Sequence, residues 1–235
     1  MPFQTQDGST LLVPTQFVDL LRAPRNRRTG INQAPPSGTT VLTQTAGNTT
    51  PQGTVTNVGD AYGRWLNHAT AASSGALGGR SVTANFLVRE KPIVAITMET
   101  GSSFADVRYF CGFGTSGLDT TDTPGGDNIW FRGSSSTDTT WKLLITESSG
   151  GTTTIVDTGV AIAVSTRYDF WIGCPGDGYA YGYVGVGGSV MGGPVPVAIP
   201  SAFDQTVSEN LFCQCENKAA SAKAIRWGKF YQNAE

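Results

Sequence analysis

A chain of 235 residues with a formal net charge of -2 and a pI near 5.4 has no global attraction for nucleic acid or for an anionic membrane, so such a partner would need a local patch. Charged residues make up only 14% of it, against roughly 25% in an average soluble domain, and hydrophobic residues 39%, which excludes a charge-rich disordered chain. The length suits one large domain, because a single β-sandwich routinely takes most of it.

Met1 to Gly8 is polar, so no signal peptide is expected, and no run approaches the roughly 18 apolar residues of a membrane helix. Residues 1–60 repeat Pro, Gly, Thr and Gln with almost no sustained periodicity, and are expected to form an extended arm ahead of a β-sandwich domain over 61–235. Within the arm, Leu11 to Leu21 has the apolar character for an element of its own: Leu11, Leu12 and Val13, then Phe17, Val18, Leu20 and Leu21. Thr15 is placed to cap a short helix that Pro24 would stop. Arg22, Arg25, Arg27 and Arg28 cluster around Pro24, leaving the remainder more acidic than the total suggests. From Arg27 to Gly59 the chain is too polar to bury a core and too long for an ordinary loop, so it either lies on something or stays mobile.

From about Ser81 the pattern changes to short β-branched or aromatic runs between turn residues, as expected of an all-β sandwich. Strands are predicted at Val82–Val88, Ile93–Glu99, Val107–Gly114, Asn128–Gly133, Thr140–Glu147, Thr153–Asp157, Val160–Val164, Arg167–Cys174, Tyr179–Val186, Leu211–Glu216 and Ala222–Phe230. Trp141, Leu143 and Ile145 alternate with Lys142 and Thr146, which describes a strand with one buried face. Ser148-Ser149-Gly150-Gly151 then turns a hairpin into the next strand. Tyr168, Phe170 and Ile172 share one face while Asp169 and Trp171 take the other, so that strand has a second contact and is central. Tyr179, Tyr181 and Tyr183 stripe the strand after it, for packing or for stacking against a sugar.

Catalytic chemistry is not expected. Glycosidases on sandwich folds need two carboxylates facing one cleft, whereas Glu90, Glu99, Glu147, Glu209 and Glu216 are isolated and expected as solvated surface charges. His68 is the only histidine and has no nucleophile motif nearby. Gly112 to Gly117 is glycine-rich but opens no helix and lacks a phosphate-loop lysine. Cys111, Cys174, Cys213 and Cys215 lack metal-ribbon spacing and are expected as buried small hydrophobes. The loop Asp119 to Asn128 carries three carboxylates and an amide, ligands that calcium takes, but its spacing matches no defined calcium loop and an acidic turn explains it as well. No cofactor and no metal are expected.

Taken in order, Ile129-Trp130-Phe131-Arg132-Gly133, Trp141, Thr158-Gly159-Val160, Tyr168-Asp169-Phe170-Trp171-Ile172 and the closing Ile225-Arg226-Trp227-Gly228-Lys229-Phe230-Tyr231 resemble the concanavalin A-like sandwich domains of tailed-bacteriophage structural proteins, over roughly residues 81–231. The resemblance implies an all-β, two-sheet antiparallel jelly roll, here behind the extended N-terminal arm read from residues 1–60, located in the virion and assembled in the host cytoplasm. It implies a head decoration (cement) protein, a head fibre or a tail component, without enzymatic activity. The long polar arm fits this, since ordering it costs entropy that only many contacts on a partner recover. Leu11, Leu12, Phe17, Leu20 and Leu21 would anchor the arm on the major capsid protein or another virion protein, with Arg22, Arg25, Arg27 and Arg28 pairing with carboxylates there. A homo-oligomer, with a trimer as the habit of virion proteins, is expected; nucleic acid and membrane are not. The alternative is a host-receptor or glycan-binding module that stacks sugar on Trp130, Tyr179 or Tyr181.

Overall fold

The computed structural model describes residues 2–4, 10–12, 27–32, 55–60, 63–83, 86–115, 121–148, 153–187, 189–207 and 209–234. Those residues form sixteen strands: β1 (Pro2–Gln4), β2 (Thr10–Leu12), β3 (Arg27–Asn32), β4 (Val55–Asp60), β5 (Gly63–Ala69), β6 (Ala76–Thr83), β7 (Ile93–Thr100), β8 (Val107–Gly114), β9 (Asn128–Ser134), β10 (Thr140–Thr146), β11 (Thr153–Ala161), β12 (Arg167–Gly173), β13 (Tyr179–Val186), β14 (Ser189–Ala198), β15 (Asn210–Asn217) and β16 (Ala224–Ala234). One 3₁₀ turn, Val88–Glu90, precedes β7.

Two sheets make the sandwich. One runs β11-β10-β9-β8-β15-β6; the other runs β14-β13-β12-β7-β16-β5-β4, with β3 also on β16. Every pairing recorded between these strands is antiparallel. The fold is thus the predicted all-β two-sheet jelly-roll sandwich.

Strand periodicity of two places alternate side chains between the sheets. Trp141, Leu143 and Ile145 of β10 point inward as predicted, and Trp141 meets Tyr168 and Phe170 of the opposite sheet edge-on, with centroids 5.1 and 4.8 Å apart. Phe131 reaches Phe170 at 4.9 Å. The sheets come so close here that a Cβ on Gly182 would lie 2.8 Å from Leu143 and 2.9 Å from Phe131. Strand β12 is central, between β7 and β13. Cys111, Cys174, Cys213 and Cys215 are free and buried in the core.

Several elements differ from the sequence prediction. Val82–Val88 is not one strand: β6 ends at Thr83 and Val88 begins the 3₁₀ turn. Thr153–Asp157 and the start of Val160–Val164 are one strand, β11, which ends at Ala161 and carries a bulge where Thr158, Gly159 and Val160 stand opposite Trp141, with Gly159 at φ +73°. Strand β14 was not predicted because its Gly and Pro residues read as turn, but at the edge of a sheet Pro leaves no ladder bond unmade.

Within residues 1–60, expected as an arm, two segments are built into the sandwich sheet. Strand β4 pairs with β5. Strand β16 is long enough to pair with β7 along one edge and with β5 and then β3, end to end, along the other. Sequence pattern concealed β3, because hydrogen bonding to β16, roughly 200 residues further along the chain, leaves no local trace, and β4 was missed although it pairs with the strand that follows it. Leu11 and Leu12 lie in β2, paired with β1. The predicted helix from Thr15, with Phe17, Leu20, Leu21, Arg22 and Arg25, lies outside the described residues.

Candidate functional site

Strand β13 presents Ala180, Gly182 and Val184 to the core and therefore turns Tyr179, Tyr181 and Tyr183 to the outer face of the eight-stranded sheet. Tyr183 is buried, but Tyr179 is 45% exposed and its ring lies 6.3 Å from that of Tyr181. The loop from β12 brings Asp177 under this pair, with Gly176 and Gly178 on either side at φ +90° and +87°. Its carboxylate accepts the Tyr181 hydroxyl at 2.7 Å and the Tyr179 amide at 3.0 Å. That hydrogen bond raises the Tyr181 phenol above its usual range, so the ring stays neutral at physiological pH. Across the ladder stand Pro196 and Ala198, both exposed, which leave the face open. Two adjacent aromatic faces with a carboxylate beside them can stack a sugar ring and accept its hydroxyls.

Trp130 is elsewhere. It points out from the six-stranded sheet, completely buried, with Phe110 stacked on it at 4.6 Å and Phe212 edge-on at 6.5 Å. Residues 121–127, the described stretch of the β8–β9 loop that leads into β9, fold back over this face. Near its C-terminal end Gly125 O accepts the Asn128 amide and Gly126 O accepts the Thr146 hydroxyl. Further back Asp122 O accepts from Arg132 Nη1, and the Asp122 carboxylate pairs with Arg108 Nε, each at 2.7 Å. Asn128 and Arg132 are four residues apart on β9, about 13 Å, so the loop crosses above Trp130, and Pro124 midway is buried. The structure thus places the three candidate stacking residues on two opposite outer faces, with only the tyrosine pair open.

The same loop holds the carboxylates considered for calcium. Burial acts to raise the Asp122 carboxyl, but hydrogen bonds from Ser134 and Arg108 and the charges of Arg108 and Lys218 outweigh it and hold the group below its usual range. Asp127 accepts from Ser148 N and Oγ at 3.0 and 2.9 Å. Among the described residues no group of three His, Cys, Asp or Glu side chains is arranged to hold a metal.

The expectation of five solvated glutamates needs correction. Glu216 is buried against Arg108, Glu147 is buried, and Glu99 pairs with Arg226 at 2.8 Å, while Glu90 accepts the Leu87 amide. Glu209 is fully buried at the start of β15 with neither carboxylate oxygen hydrogen bonded. Desolvation, aided by Asp127 and Asp204, raises its pKa to about 9. A raised carboxyl is the signature of a general acid, but nothing reaches Glu209 from solvent. No local signal marked it, since Ser-Glu-Asn before an apolar run reads as turn. His68 is buried in β5. Arg27 and Arg28 lie in β3.

These features define the class as a concanavalin A-like jelly-roll sandwich with an open tyrosine platform on one outer face and a loop-covered aromatic face on the other. Among solved structures, the chain is similar to a protein of unknown function from Shewanella oneidensis MR-1, with TM-score 0.54, 15% identity and 95% of each chain covered. It is also similar to the CBM2 module of Lactobacillus casei BL23 phage J-1 evolved Dit, with TM-score 0.52, 12% identity, and 89% of this chain and 99% of that one covered. Bacillus licheniformis β-glucanase aligns with TM-score 0.52 and 11% identity over 90% of this chain and all of that one. No protein-family model matches, and no curated protein sequence matches. Identities this low establish the shared fold and nothing of function.

Proposed function

We propose that the protein is a non-catalytic glycan-binding module of a virion structural protein. The observation that carries this is the adjacent Tyr179–Tyr181 pair, Tyr179 exposed and Tyr181 half-buried, with the Asp177 carboxylate accepting the Tyr181 hydroxyl. The sandwich shared with a phage Dit module and a glucanase supports it as fold analogy. Catalysis is not part of the proposal, because Asp122, Asp138, Asp157 and Asp169 are each paired with Arg or Lys and Glu209 is closed off. Capsid decoration through the arm is the competing function.

A glycan microarray with the full chain tests the proposal. Binding that Tyr179→Ala removes while the melting temperature is unchanged supports it. If the chain captures no glycan but co-sediments with undecorated capsids, decoration through the arm replaces it.

A further inference from the structure

We infer that residues 121–127, ahead of β9, are a displaceable strap over a second, latent binding face on the six-stranded sheet, suited to a neutral polyhydroxylated carbohydrate. The face comprises Phe110, Trp130, Phe212 and Gln214, all buried, and the strap crosses it above Trp130. It is independent of the tyrosine platform, which lies on the other sheet.

Two observations carry this. The first is how the strap is fastened. Its described links to the two arginines are the Asp122 carboxylate on Arg108 and the Asp122 carbonyl on Arg132. Each arginine holds a second, more deeply buried partner in the sheet itself. Arg108 is paired with Glu216, and Arg132 donates to both oxygens of Asp138 at 2.8 and 2.9 Å. Lifting the strap therefore strands no guanidinium charge, which is the step that makes breaking a buried ion pair costly. Asp122 keeps 31% of its side chain exposed, so water already competes for it.

The second observation is what this buried face leaves unsatisfied. Gln214 sits next to Phe110 in the β8–β15 register and is fully buried, yet neither its amide nitrogen nor its oxygen has a hydrogen-bond partner. The Trp130 indole nitrogen, also fully buried, is likewise unpartnered. Buried polar groups without partners are costly and uncommon. Here two donors and one acceptor adjoin stacked aromatic rings, the complement of a sugar, whose hydroxyls both donate and accept and whose ring carbons pack on an aromatic face. A charged ligand fits less well, because the flanking Arg and acidic side chains already neutralise one another.

The test is Asp122→Ala in the full chain, read in three ways. Far-ultraviolet circular dichroism and a cooperative melt establish that the sandwich is retained. Acrylamide quenching, with Asp122→Ala/Trp130→Phe as the reference that isolates the Trp130 signal, is expected to rise several-fold at Trp130. On a microarray of neutral oligosaccharides the variant is expected to gain signal that Gln214→Ala removes and Tyr179→Ala leaves intact, which separates this face from the tyrosine platform. A Trp130 that stays shielded, or no gained signal that depends on Gln214, overturns the inference. Should the variant fail to fold, native-state hydrogen exchange of the unaltered protein decides: the buried Trp130 indole N–H exchanging well before the amides of β8 and β9 supports the strap, and its exchange only with global unfolding overturns it.

Discussion

Glu209 illustrates how one residue can set the pH response of the fold. Its pKa, raised from the usual value near 4.5 to about 9, means that the folded protein keeps a proton the unfolded chain releases. The stability this contributes is full below about pH 4 and is lost as pH rises towards 9, at a slope approaching ~1.4 kcal/mol per pH unit. Urea unfolding at pH 5, 7 and 9 should show wild-type stability falling across the range and a flatter profile for Glu209→Gln; equal slopes would mean that Glu209 ionises normally. Asp127 and Asp204 are the charged groups that act on it besides burial. At the same scale, Asp138→Ala should cost about 3 kcal/mol, as for breaking a buried ion pair, since it strips Arg132 and the Ser134 amide of their carboxylate. Chemical denaturation measures it, and a loss below ~1 kcal/mol would show that Arg132 finds water instead.

Individual strands show where pattern sufficed and where it did not. The alternation in Trp141–Ile145 and Tyr168–Ile172 was legible because side-chain direction follows from backbone period alone, and the core bears it out. The same alternation suggested that the other face of β10 is polar, yet Leu144 is buried there with Phe110 and Trp130. Nothing in the loop sequence revealed that it folds back across them, because the contact depends on Arg108 and Arg132 being brought into line by pairing of β8 with β9. The Gly182 contact is also invisible from sequence. Gly182→Ala should overpack the junction between the sheets and destabilise by about 1–3 kcal/mol, and a thermal melt checks this. A neutral result would mean that Leu143 and Phe131 can move apart.

For the molecule as a whole, the first 60 residues have two separable roles to test. Pairing of β3 with β16 and of β4 with β5 predicts that deleting residues 1–60 lowers the thermal midpoint of the sandwich, besides any loss of capsid binding. An unchanged midpoint would show that those strands add no stability to the sheet. Sequence by itself determined the all-β class, the single-sandwich architecture, most strands from Ile93 to Glu216 and the identity of the tyrosine stripe, because these rest on composition and on periodicity within a few residues. Only tertiary structure decided that Tyr179 and Tyr181 stay open while Trp130 is covered, that Glu209 is buried, and that β3 joins the sheet through β16. Exposure, desolvation and strand pairing depend on which distant segments meet, and the local pattern of residues carries no record of that.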